Sequence, residues 1–186
     1  MIKLGSAFIK IGQLLSARPD LLPNSWIQEL SKLQDQVPNF SFKQVEKTIK
    51  EELGPRFNEI DQIICDPVGS ASLAQVHRAT LKNGKKVVFK VQRPNLKELF
   101  TIDLGIMQQI AGLLQKNKNW SRGRNWVEIA KECRKVLMKE LDFNCEAQYA
   151  ARFRQQFLDD KNVEVPEVIW DMSSCLLYTS DAADEL

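Results

Sequence analysis

QVHRATLKNGKKVVFKVQ, running from Gln75 to Gln92, decides how this chain is read. Two β-prone runs, Gln75–Leu81 and Lys86–Gln92, flank Asn83-Gly84, a strong short-range hairpin signal. Two registers fit. A two-residue turn at Asn83-Gly84 pairs His77 with Lys90, on the face that also bears Val88. A three-residue loop with Gly84 as a bulge slips the pairing by one and puts Val76 opposite Lys90 instead. Lys90 is one ammonium inside the apolar run Val87-Val-Phe-Lys-Val91. Just upstream, Gly69-Ser-Ala-Ser-Leu-Ala74 is a small-residue loop that lets backbone come close to a ligand.

The bulk properties narrow the function classes. The chain has 186 residues, 44% hydrophobic and 27% charged, which fits one globular unit or a piece of a larger one. A net charge of +2 with interspersed signs gives no nucleic-acid footprint. No apolar run reaches the roughly 18 residues that span a bilayer, and Met1-Ile-Lys-Leu-Gly5 lacks a secretory h-region. Cys65, Cys133, Cys145 and Cys175 form no C-x-x-C pair, so reduced structural thiols are expected and no metal site.

Outward from the hairpin, the pattern is mostly helical. Lys3 to Ala17 carries Leu4, Phe8, Ile11, Leu14 and Leu15 at helical spacing and ends at Arg18-Pro19. Lys10 and Gln13 share another face, and from spacing alone they read as a solvated pair; Gly12 between them suggests close packing. Ser25-x-x-Gln28 and Ser41-x-x-Gln44 are capping boxes for two more helices, the second ending at Leu53 before Gly54-Pro55, with Phe42, Val45, Ile49 and Leu53 as its core face. Ile63-Ile-Cys65 reads as a short strand. Leu96 to Gln115 reads as a long helix, with Leu99, Ile106, Met107, Ile110, Leu113 and Leu114 as its buried stripe. A solvated basic connector, Lys116 to Arg124, follows.

Asn125-x-x-Glu128 caps a further helix that reads as continuous to about Phe157. On it Asp142 and Glu146 are i,i+4 and share a face, while Glu140 points the other way. Read alone, this is an exposed acidic face. Val163 to Asp171 reads as a strand. Cys175 to Leu186 shows no capping, period or turn logic. It resembles a translated sequencing-adapter tail, is set aside as non-native, and is expected to pack poorly.

A small-residue loop, a hairpin and a strand lysine together fit the roof of a kinase-type nucleotide site, where the lysine holds phosphates and a helix glutamate orients it. Taken with the other motifs, the chain resembles the UbiB/AarF/ADCK family of atypical protein-kinase-like proteins from Ile2 to Ser174. Lys10-Ile-Gly-Gln13 fits its K-x-G-Q signature. Gly69 to His77 resembles its alanine-rich loop, with Gly69 and Ser70 where alanines are common. Lys90 matches the strand lysine, Glu140-x-Asp142 the E-x-D motif, and Glu146 the lysine-pairing glutamate.

The resemblance implies an α+β fold: a kinase-like N-lobe, a small antiparallel sheet with long helices, preceded by an N-terminal helical extension, with the C-lobe absent. The implied division is an extension over residues 1–56, a lobe over 57–174 and a non-native tail over 175–186. The implied site has Lys90, Glu146, Lys10, Gln13, Glu140 and Asp142 as catalytic residues, with Lys10 and Gln13 facing Glu140 and Asp142. Gly69, Ser70, Ala71, Ser72, Val76, Val88 and Lys90 would bind ATP, with Ser72 within reach of the phosphates. Mg²⁺ would be held by ligands in the missing C-lobe, so no metal ligand is assigned here. The implied role is ATP binding and hydrolysis in support of isoprenoid-quinone lipid biosynthesis, by a cytoplasmic protein peripheral to a membrane. Quinone-precursor lipids, the membrane surface and lipid-biosynthetic enzymes would be its partners. Two other classes stay open: a non-catalytic pseudokinase scaffold for such enzymes, and a plain helical interaction module, against which Lys90 and Glu146 argue.

Overall fold

A computed structural model describes residues 6–32 and 38–181. It divides the chain into two compact units, residues 1–36 with 95–139, and residues 37–94 with 140–186. The first boundary therefore falls near residue 36 rather than 56, and the segment after 95 returns to the first unit. Leu4 of the expected first stripe and residues 182–186 of the tail lie outside the described residues.

The second unit is built on an antiparallel sheet. Its strands are β1 (Ile60–Ile63), β2 (Gly69–Ser70), β3 (Ala74–Leu81), β4 (Lys86–Gln92) and β5 (Leu177–Ser180), in the order β1-β3-β4-β5 with β2 also on β3. Gly84, at φ +84°, lets Leu81 N–H reach Lys85 O at 2.9 Å and closes the three-residue loop Lys82–Gly84. Lys85 N–H also donates to Asn83 Oδ1 at 2.9 Å. That loop selects the register: Val76 pairs with Lys90 and His77 with Phe89.

One face of the sheet is closed by a helix of this unit, numbered third in the chain (α3, Phe42–Leu53). Ser41 and Gln44 form the reciprocal cap at its start, as the sequence suggests. Its i,i+4 row Val45, Ile49 and Leu53 packs with Ala79, Leu81, Val87, Phe89, Val91 and Leu177 in one buried cluster. Phe89, Val87 and Val91 alternate with Val88 and Lys90, the period of a strand with two distinct faces.

The first unit is helical. Here α1 (Ser6–Ser16), α2 (Asn24–Leu30), α4 (Leu96–Lys116) and α5 (Trp126–Glu140) surround a core of Leu21, Leu22, Ala111, Trp126 and Ala130. Asn125 caps α5 through Glu128 N–H at 3.1 Å. The remaining helix, α6 (Phe143–Gln156), belongs to the sheet unit. No helix among the described residues is long and apolar enough to cross a membrane.

Several expectations are corrected. The expected helix from 125 to 157 is two helices, because Asp142 turns out of helical geometry (φ −102°, ψ 101°) and accepts from Asn144 N–H at 3.0 Å as the N-cap of α6. The Ser25 box does not form; α2 starts at Asn24 with Pro23 at the cap position. On α4 the buried residues are Leu96, Phe100, Leu104 and Ala111; of the expected stripe Met107 and Leu114 pack, partly buried, against the helical core, whereas Leu99 is 52% exposed and Leu113 67%, with Ile106 and Ile110 also exposed. Two apolar rows run along that helix, and periodicity cannot tell which one is covered. Val163–Asp171 contributes only an isolated bridge at Val168, followed by a 3-10 turn at Trp170–Met172.

The expectation that Cys175 onward packs poorly is also overturned for residues up to Asp181. Leu177 and Thr179 are fully buried, and β5 pairs with β4 through Phe89↔Thr179 and Lys90↔Tyr178. The sheet therefore runs past the boundary expected at 174.

Candidate functional site

Lys90 stands on the sheet face opposite α3. Its cross-strand neighbours are Val76 on β3 and Tyr178 on β5, and Val88 precedes it on the same face. Its Nζ donates to both carboxylate oxygens of Glu146, at 2.6 and 2.7 Å, across 56 residues of sequence. The ammonium also lies 5.0 Å from the centroid of the buried Phe143 ring. The pair is partly open to solvent, 29% for the Lys90 side chain and 46% for Glu146.

The break before α6 is what aims Glu146. Gln92, two residues after Lys90, donates from Nε2 to Leu141 O at 2.7 Å, and Phe143 N–H donates to Cys175 O at 3.0 Å. These bonds tie the start of α6 to the end of β4 and to the approach of β5. Glu146 then falls in the first turn of α6, where the helix dipole favours a carboxylate. Burial, and then the charges of Glu146 and Asp181, push the Tyr178 phenol above its ordinary pKa.

The small-residue loop lies at the far end of β3. Gly69 and Ser70 pair with Val76 and Gln75, and Ala71 N–H donates to Ala74 O at 2.8 Å, turning the chain back into β3. Ser72 is fully buried and its Oγ has no partner. A phosphate could reach that hydroxyl only after the loop moves, which differs from the expected placement. On the α3 side, His77 is buried, with Nδ1 3.0 Å from Ile64 O and Nε2 unpartnered. It is not the residue beside Lys90.

The structure thus brings Lys90, Glu146, Val76 and Val88 together, with Gly69–Ser72 on the neighbouring loop of the same unit. Lys10 and Gln13 lie on α1 of the helical unit and are half-buried; Glu140 ends α5, and Asp142 serves as the α6 cap. Asp142 and Glu146 do not share a regular helix face. Gln92, Phe143 and Tyr178 are not among the residues that the sequence motifs single out. Gln92 was accessible from the period-2 series Val88, Lys90, Gln92; Phe143 and Tyr178 needed the helix break and β5. Among the described residues no group of three or more His, Cys, Asp or Glu is placed to hold a metal. All four cysteines are free thiols.

A small antiparallel sheet, a strand lysine and a helix glutamate that meet over the sheet define a kinase-like N-lobe. The family pattern described as the ABC1 atypical kinase-like domain matches residues 32–183, and the chain belongs to that family. An uncharacterized Synechocystis protein is 46% identical over 96% of this chain and 31% of its own length. Arabidopsis thaliana "Protein ACTIVITY OF BC1 COMPLEX KINASE 7, chloroplastic" is 45% identical over 96% of this chain and 26% of its own. A "Probable protein kinase UbiB" of Marinobacter nauticus is 41% identical over 91% of this chain and 31% of its own. A Mycobacterium tuberculosis protein solved with erythromycin superposes with a TM-score of 0.66 at 27% identity, over 92% of this chain and 43% of that one. The chain therefore spans about a third or less of the curated relatives named here.

Proposed function

We propose that this chain is the nucleotide-binding N-lobe of an ATP-binding atypical kinase-like protein that supports isoprenoid-quinone lipid biosynthesis. The observation that carries this reading is the Lys90–Glu146 pair, 2.6 Å long and seated beside a small-residue loop. Lys90 would contact the α- and β-phosphates, with Glu146 holding its ammonium in place, and Val76 and Val88 would supply apolar contact for the base. The loop Gly69–Ser72 would cover the phosphates. Lys10, Gln13, Glu140 and Asp142 are assigned to the catalytic set by their family motifs, and the Mg²⁺ that accompanies ATP would be held by residues outside this lobe, so no step is derived through it.

Stability alone does not account for the pair. A partly exposed ion pair contributes only about 0–1 kcal/mol, so an ammonium within an apolar strand suggests a ligand. Titration with a fluorescent ATP analogue and Mg²⁺, on this chain and on the longest natural reading frame that contains it, tests the proposal. Saturable binding that weakens about tenfold or more in Lys90→Ala is expected from the lost charge-assisted contact. Equal affinities for the two proteins remove Lys90 from the site.

A further inference from the structure

Arg93 stands three residues beyond Lys90, just past the end of β4. Its Nε donates to Ala71 O at 3.0 Å and its Nη2 to Ser70 Oγ at 3.1 Å. Its own backbone N–H donates to Leu73 O at 2.9 Å. One residue therefore grips three positions of the small-residue loop. The same guanidinium donates from Nη1 to Pro38 O at 3.0 Å and lies 5.4 Å from the centroid of the Phe40 ring. Pro38 and Phe40 belong to the segment that enters α3, on the other side of the sheet from Lys90.

The loop is tied to β3 by the pairing of Gly69 and Ser70 and by the turn at Ala71, and Ser72 and Leu73 are buried, but its outer residues offer little side chain to hold it against β4. Gly69 has open space around it, with nothing within 4 Å of a would-be Cβ, and Ser70, Ala71 and Ala74 are too small to anchor by packing. A rigid fork suits this task, because its three nitrogens carry five donors and reach acceptors that lie apart; an ammonium has three donors on one nitrogen and cannot span them.

We propose that Arg93 is a positioning residue for the phosphate-covering loop: it fixes Ser70–Leu73 relative to β4, and so to Lys90, and makes loop placement depend on the Pro38–Phe40 segment. This rests on the nucleotide reading above. It adds a control point on the face of the sheet remote from the ligand. Anything that displaces Phe40 or Pro38 would loosen the loop without touching the nucleotide.

The test compares ATP with adenosine, both with Mg²⁺, on wild type, Arg93→Lys and Phe40→Leu, with thermal melts alongside. Arg93→Lys keeps the charge and loses the fork. ATP affinity is expected to fall about tenfold, the equivalent of one well-made charge-assisted hydrogen bond, while adenosine affinity stays as it was. Phe40→Leu, which lies outside the site, should produce a smaller loss with the same preference for ATP. Unchanged ATP affinity in Arg93→Lys overturns the proposal, and so does an equal loss for both ligands, which marks a merely structural role. Should Arg93→Lys fail to fold, Phe40→Leu decides by the same criterion. If wild type binds no ATP, the nucleotide reading is what falls, and amide exchange at Ala71 judges the clamp by itself. Faster exchange in Arg93→Lys supports it and unchanged exchange overturns it.

Discussion

On the α3 side of the β3–β4 hairpin, Phe89 and Val91 are closed off by Val45, Ile49 and Leu53, and both are fully buried. On the other side Lys90 reaches out to Glu146, and the pair stays partly wet. The two faces alternate residue by residue along one strand, yet they answer to different demands. The first needs only apolar groups of fitting shape and contributes most of the folding energy. On the second, Val88 and Phe143 are buried as well, but the partly exposed Lys90–Glu146 pair adds only about 0–1 kcal/mol, and on the proposed reading it is set by chemistry. A strand lysine held by a glutamate 56 residues away, in a pair that stability does not require, is what motivates the proposed site.

The comparison breaks most readily on the core side. Phe89→Ala should cost about 3–5 kcal/mol through lost burial and the cavity left behind, read as a fall in the urea midpoint. Lys90→Ala should leave that midpoint nearly in place. A Lys90→Ala loss as large as that of Phe89→Ala would mean that both faces are core.

A smaller effect sits at the helix break that aims Glu146. Asp142→Ala removes the side-chain acceptor for Asn144 N–H and should cost about 1 kcal/mol, while Asp142→Asn keeps an acceptor and should cost less. Equal losses in the two variants would show that the cap is not what starts α6.

The smallest effect sharpens the core face. His77, the single histidine of the chain, is buried beside the Phe42 ring, and burial pulls its pKa below 6.5, against the raising effects of Ile64 O and the Asp66 charge. The unfolded state then binds the proton more readily than the folded one. The neutral ring's contribution to stability is fully present above about pH 6.5 and is lost as pH falls from there towards the folded pKa. Melts between about pH 5 and 7 should show stability rising with pH, and His77→Phe should flatten that slope. An unchanged slope would place its origin elsewhere.

What the sequence disclosed follows from how local each signal is. Lys90, Glu146 and the α3 row were legible because a strand, a motif and a helical period each announce themselves within a few residues. The sequence allows two registers; the three-residue loop with Gly84 at positive φ decides between them. The α5–α6 break was illegible because Asp142 fits a helix face as readily as it fits a cap, and only its backbone shows which. The α4 stripe is legible only in part: Met107 and Leu114 do pack on the core, but Leu99, Ile106 and Ile110 form a row as regular as Leu96, Phe100, Leu104 and Ala111. Leu177–Ser180 was missed because a strand of four residues, completing a sheet across about 85 residues of sequence, carries almost no pattern of its own.

The central claim is that Lys90 and Glu146 act as one unit on a nucleotide. A double-mutant cycle on ATP affinity, with Lys90→Met, Glu146→Gln and the double variant, tests it most directly. The account predicts that each single change weakens ATP binding about tenfold or more and that the double variant is no weaker than the worse single, because a pair broken once has nothing further to lose. Losses that simply add, or ATP affinity unmoved by either change, would contradict it.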